Sequence, residues 1–183
     1  MPESLEPIDI SSLSVSEIAT AMAERQLPPV ERWDPDHCGH SDMRIAGDGR
    51  WYHQGEPIRR DALVRQFSRI LRREPDGSFV LVTPAEKLVI DVDGAPFLAT
   101  AMTSEGSGRD RRIAFAINSG DAVVLGPGHA LRLQDGRPLL HVRSGLDATL
   151  ARPVYYELAE LALADGADPP GVWSDGLFFP LDA

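Results

Sequence analysis

Three groups of residues in this chain have types and spacings that could do chemistry. The first is Asp36, His37, Cys38, His40 and Asp42, a run of oxygen, nitrogen and sulfur donors. A bound metal needs three or four such donors converging on one point, and Cys-x-His alone is no zinc signature. His53, His129 and His141 are scattered and supply no second cluster. The run therefore reads as a polar loop entering a strand, with no metal and no cofactor expected. The second group is Ser104 to Asp110, rich in glycine and followed by Arg111 and Arg112. Backbone N–H groups in such a loop could cradle phosphate. It lacks Gly-Lys-Ser/Thr and opens a strand rather than a helix, so it reads as a hairpin tip and not a P-loop.

The third group is Arg59, Thr83, Lys87, Arg152, Tyr155 and Tyr156. Arginine pairs with anions and tyrosine stacks on planar groups. Tyr155 and Tyr156 are adjacent in a helical segment, so they cannot both face a core. Arg59, Arg60 and Arg152 stand just before two helices, where the macrodipole is already positive and a cation is unfavourable by about 0.3–1 kcal/mol. Together with the helix N–H groups, they would suit an anion. Ion pairs to Asp61 or Glu157 are the structural alternative. Thr83-Pro84-Ala85-Glu86-Lys87 serves equally well as a cleft wall or as a plain connector, because Pro84 holds Thr83 extended. Nothing marks an activated nucleophile or a Gly-x-Ser-x-Gly elbow, and no carboxylate pair is placed across a cleft. Asp91 and Asp93 share one strand face beside a turn and read as a solvated hairpin. No catalytic residue is assigned.

The elements that must hold these residues follow from periodicity. Ser14 and Glu17 have capping-box spacing, followed by Val15, Ile18 and Met22 at helical intervals, after a loose polar tail over residues 1–10. Met43 to Ile45 and Trp51 to His53 flank a Gly-Asp-Gly-Arg turn as two short strands. Leu63, Val64, Phe67, Ile70 and Leu71 make one apolar helix face, and Ser78 to Thr83 a strand. Successive short strands separated by turn residues fill 85–142, which suggests an antiparallel meander. Pro153 opens a last helix with Val154, Leu158, Leu161 and Ala162 inward. A final hairpin or strand spans Trp173 to Leu181.

An internal repeat joins these pieces. Asp48-Gly49-Arg50 recurs as Asp135-Gly136-Arg137, the two helix faces align, and each helix is followed by Asp-Gly and an apolar strand. Segments 43–83 and 131–181 are expected to superpose as strand-strand-helix-strand units. The fold class is α+β in two small domains. Residues 1–84 hold the N-terminal helix and first repeat, and residues 85–183 hold the meander and second repeat.

Composition bounds the function. The 183 residues carry 28 acidic against 18 basic side chains, a net −10. Nonspecific binding to a nucleic-acid backbone is not expected. Nor is a membrane span, since apolar runs are short. One cysteine and an N-terminus without signal features point to the cytoplasm.

The run Asp42 to Ile45 with Asp48 to Arg59, the stretches Leu81 to Lys87 and Val92 to Phe97, and the helix face resemble the bacterial family DUF1285. That resemblance, covering the chain from about Pro28, implies a duplicated core whose second half is similar to pleckstrin-homology-like folds. It also implies ligand binding in signal transduction, with a nucleotide-like molecule. The expected function is a non-catalytic ligand-binding or interaction module that holds a small anionic or nucleotide-like ligand in the inter-domain cleft. The alternatives are a hydrolase acting on a phosphorylated small molecule and a structural protein-interaction domain with a protein partner.

Overall fold

Ser14 starts the first helix as its spacing requires. Its hydroxyl accepts from the Glu17 amide, the Glu17 carboxylate accepts from the Ser14 amide, and α1 runs Val15–Glu24. The computed structural model describes residues 6–182. After a 3-10 turn at Val30–Arg32 come β1 (His37–Ile45), β2 (Trp51–His53), β3 (Glu56–Pro57), α2 (Asp61–Arg69), β4 (Leu71–Arg73), β5 (Phe79–Val82) and β6 (Glu86–Val92). They form one six-stranded sheet, ordered β3-β2-β1-β6-β5-β4, in which only β1 and β6 run parallel.

The second half repeats that plan. β7 (Phe97–Glu105), β8 (Arg112–Ile117), β9 (Ala122–Val124), β10 (Leu131–Gln134), β11 (Arg137–Arg143) and β12 (Leu146–Leu150) are ordered β10-β11-β12-β7-β8-β9, with β12 and β7 parallel. α3 (Arg152–Asp165) and a separate hairpin of β13 (Gly171–Ser174) and β14 (Leu177–Pro180) complete the α+β fold, which among the described residues has two six-stranded sheets and three α-helices. In each sheet the first and last strands sit side by side at the centre. The chain meanders out to one edge, crosses to the other, and meanders back in.

This connectivity corrects the expected repeat. Both segments, 43–83 and 131–181, do contain a helix between strands, starting at Asp61 and Arg152. Yet the strand after α2 belongs to the first sheet, whereas the strands after α3 pair only with each other. The two Asp-Gly-Arg turns join β1 to β2 and β10 to β11, which are not equivalent positions. They match because Asp-Gly suits any tight reversal needing positive φ, here 84° at Gly49 and 74° at Gly136. The expected meander is present as two runs, β7-β8-β9 and β10-β11-β12, joined by a parallel pair.

Three further expectations change. A divide after residue 84 would cut off β6, but Thr83 and Glu86 close a tight hairpin that pairs β6 with β5. The sheets part at residues 93–96. Residues 36–42, expected as a loop, are mostly β1, paired in parallel with Glu86 to Val89. Residues 6–10 of the expected tail are anchored: the Ile8 amide donates to Gly120 at 3.0 Å and Ile10 is buried. Residues 1–5 of that tail lie outside the described residues.

One apolar cluster spans both sheets. Trp51, Leu71 and Ile90 of the first pack with Phe97, Phe115 and Leu140 of the second and with Val154 and Leu158 of α3. α1 sits on the outer face of the second sheet, with Val15 and Ile18 against Ala114 and Ala122. β8 is therefore buried on both faces, Ile113, Phe115 and Ile117 inward and Ala114 toward α1, as period-two alternation requires. Among the described residues no helix is long and apolar enough to cross a membrane.

Candidate functional site

The seam between the sheets carries three adjoining hollows. The one at the start of α3, about 790 Å³, is lined by Arg137, Pro138, Leu150, Arg152, Tyr155 and Tyr156 among others. Helix α3 turns Val154 and Leu158 into the core, which leaves Tyr155 half-buried and Tyr156 more than half exposed. Their rings lie 6.0 Å apart, tilted by 56°. A second hollow, about 540 Å³, opens at the start of α2 and includes Arg59, Asp61 and Trp51. It shares Asp48 and Leu98 with the first. The two helix starts are thus neighbours across one wall. Neither Arg59 nor Arg152 forms an ion pair with a described residue, so the structural alternative of Asp61 or Glu157 partners is not realised.

Thr83 and Lys87 lie elsewhere. The Thr83 hydroxyl accepts from the amides of Ala85 and Glu86 at 3.3 and 3.2 Å, closing the β5–β6 turn. Lys87 pairs with Glu74 at 3.7 Å. Lys87 sits opposite Cys38 at one end of the β1–β6 pair, and Val92 sits opposite Ile45 at the other, just before the Asp48 turn. Five residues of strand separate them, about 17 Å. Of the six expected binding residues, Arg59, Arg152, Tyr155 and Tyr156 gather on the seam, and Thr83 and Lys87 stand apart with structural partners.

The third hollow, about 660 Å³, lies between the β4–β5 turn, residues 94–96 and the β10–β11 hairpin. Arg73, Arg132, Arg137, Asp135 and Asp147 line it, and it shares Arg137 and Thr149 with the tyrosine hollow. Arg132 donates to Asp147 at 2.8 Å, a hydrogen bond that raises its already high pKa. The other Asp147 oxygen lies 3.3 Å from His141 Nδ1, directly across the strands. Across the three hollows six arginines face four aspartates, with no lysine, histidine or glutamate among the lining residues. The seam is positive on a protein of net −10.

The chain matches the N-terminal domain of DUF1285, a domain of unknown function, over residues 28–95, and the C-terminal domain of that protein of unknown function over residues 96–181. It is also similar to the crystal structure of a DUF1285 family protein from Silicibacter pomeroyi DSS-3, at 44% identity and TM-score 0.80, covering 90% of this chain and 92% of that one. The chain belongs to the DUF1285 family. A DUF1285 family protein from Shewanella baltica OS155, 23% identical with TM-score 0.52, covers 67% of this chain and 94% of the other and shares the fold. No curated protein matches the chain. The border between the two DUF1285 domains, at residues 95 and 96, lines the third hollow.

The remaining candidates hold structural posts. His37, Cys38 and His40 lie along exposed β1, His40 within 3.5 Å of Asp42 and Asp91, and no group of three or more metal-ligating side chains converges among the described residues. In the glycine-rich loop, Arg109 lies over the Trp173 ring at 4.9 Å, Arg111 pairs with Asp165, and Arg112 pairs with Asp175 at 3.5 Å. These arginines tie the loop to α3 and the last hairpin. Sequence reasoning missed Arg73, Arg132 and Asp147. Their signal is faint, because they are single charged residues on short strands whose neighbours are set by sheet order.

Proposed function

We propose that this DUF1285 protein is a non-catalytic ligand-binding module holding a small, planar, anionic or nucleotide-like molecule on the seam between its sheets. One observation carries the reading: Arg137 and Arg152, without ion-pair partners, line the same hollow as Tyr155 and Tyr156. Unpaired guanidinium groups beside aromatic faces suit a ring that bears negative charge. Arg59, one wall away, extends the positive field. The reading includes a role in signal transduction, with occupancy of the seam as the signal. It also includes the likeness of the second half to pleckstrin-homology-like folds, which the place of α3 after a six-stranded sheet supports.

A thermal-shift screen with nucleotides, sugar phosphates and metals tests this, because a ligand that binds only the folded state raises Tm by mass action. A nucleotide-like compound should raise Tm, and Arg152→Gln or Tyr155→Ala should abolish the rise while leaving the ligand-free Tm within a few degrees. A flat screen, or a response that survives both substitutions, contradicts the reading. The alternative, a hydrolase, is supported by the His141–Asp147 pair at 3.3 Å. Release of phosphate from a hit compound, lost in His141→Ala, would replace the binding module with that enzyme.

A further inference from the structure

We infer that the hollow at the domain border is an oxyanion site that takes a phosphate or diphosphate group. The inference deepens the proposed function and rests on it only in assigning the ring of the same ligand to the tyrosine hollow. Arg73 comes from the first half. Its guanidinium lies 5.7 Å from the Phe79 ring centre, and Nη1 donates to the Gly145 carbonyl of the second half at 3.3 Å. It is held by a ring and a carbonyl, with no carboxylate to neutralise it. Arg137 lines the same hollow from the β10–β11 hairpin, also without an ion pair. Of the two aspartates present, Asp147 is occupied by Arg132 and His141, which leaves Asp135 against two unpaired guanidinium groups. Gln134 and Thr149 add neutral donors.

Two guanidinium forks supply parallel N–H donors that match phosphate oxygens, and each retains its charge at any physiological pH. An anion between them would bridge the halves, because Arg73 belongs to one and Arg137 to the other. Arg137 and Thr149 also line the tyrosine hollow, so the two spaces adjoin. The ligand class that fits both is a planar ring bearing a phosphate chain, with the ring toward Tyr155 and Tyr156 and the chain toward Arg73.

Inorganic pyrophosphate, titrated calorimetrically into the full chain at low salt, tests the site without a ring. Binding should be measurable, should weaken about tenfold or more in Arg73→Gln and in Arg137→Gln, and should be unchanged in Tyr155→Ala. Arg137→Gln removes no ion pair, so it keeps the test valid if Arg73→Gln fails to fold. Absence of pyrophosphate binding, or equal binding to wild type and Arg137→Gln, overturns the oxyanion site. If pyrophosphate binds as described while no ring compound does, the tyrosine hollow fails and the oxyanion site stands. If a ring compound binds in an Arg152-dependent way and pyrophosphate does not, the reverse holds.

Discussion

At the scale of single residues, Asp121 is a buried carboxylate that joins three partners. It is 5% exposed, and it accepts from Arg25 at 3.0 Å, Ser119 at 3.0 Å and Arg143 at 3.4 Å. Arg143 in turn donates to the Ser68 carbonyl at the end of α2, and burial lowers its pKa from the usual arginine value. Asp121→Ala would leave two mostly buried guanidinium groups without their carboxylate, which costs about 3–5 kcal/mol. Urea unfolding should show that loss, and Asp121→Asn, which keeps one acceptor oxygen but not the charge, should lose less. An exposed pair behaves differently. Arg44 hydrogen-bonds Asp93 and lowers its carboxyl pKa below the ordinary value. A lowered folded-state pKa gives stabilisation that is complete above the unfolded value and lost as pH falls through the folded one. An NMR titration should place the Asp93 midpoint below that of a free aspartate and return it to the ordinary range in Arg44→Gln. At this scale the sequence showed which arginines could serve an anion only in part. Arg59 and Arg152 stand out beside helix starts, whereas Arg73 has meaning only through Phe79 and Gly145, brought near it by the docking of two sheets.

At the scale of elements, the two Asp-Gly-Arg turns separate local from tertiary demands. A Cβ at Gly49 would meet Leu98 Cβ at 3.0 Å and the Asn118 amide at 3.2 Å, while one at Gly136 would meet nothing within 4 Å. Both glycines hold positive φ, so Ala costs about 1–2 kcal/mol at either from backbone strain. Gly49→Ala must also displace a side chain of the other half and should be the more destabilising of the two in thermal melts. Ser174, fully buried on β13, accepts from the Ile113 amide at 2.9 Å and donates to the Leu125 carbonyl at 2.7 Å. It stitches the last hairpin to the second sheet. Ser174→Ala should cost about 1–3 kcal/mol, since both partners are left in a dry site. The helices were legible because capping and 3.6-residue periodicity are local properties: Ser14, Glu17 and Pro153 stand where those rules put them. β12 was not. Its sequence, Leu146-Asp147-Ala148-Thr149-Leu150, has a charge among its buried residues, and Asp147 is buried only because Arg132 and His141 reach it from β10 and β11.

At the scale of the whole molecule, two sheets of one connectivity share a single core, and the border between them is where unpaired arginines collect. The shared core predicts that both halves melt together: fluorescence of Trp51 in the first sheet and Trp173 in the last hairpin should report one transition at one Tm. The shared connectivity of the two sheets was not legible in the sequence, where the Asp-Gly-Arg match aligned turns that are not equivalent, because turn residues recur wherever the chain reverses while sheet order is fixed by contacts far apart in the chain. The same limit hid the seam, whose walls come from residues 47–156 folded back on each other. The central claim is that this seam binds a planar, phosphorylated anion. The most direct test is NMR chemical-shift mapping of the full chain with adenosine 5′-diphosphate as the probe. The account predicts saturable shifts centred on Arg73, Arg137, Arg152, Tyr155 and Tyr156. Shifts that centre on the α1 face around Asp121 and His129, or none at millimolar probe, would contradict it.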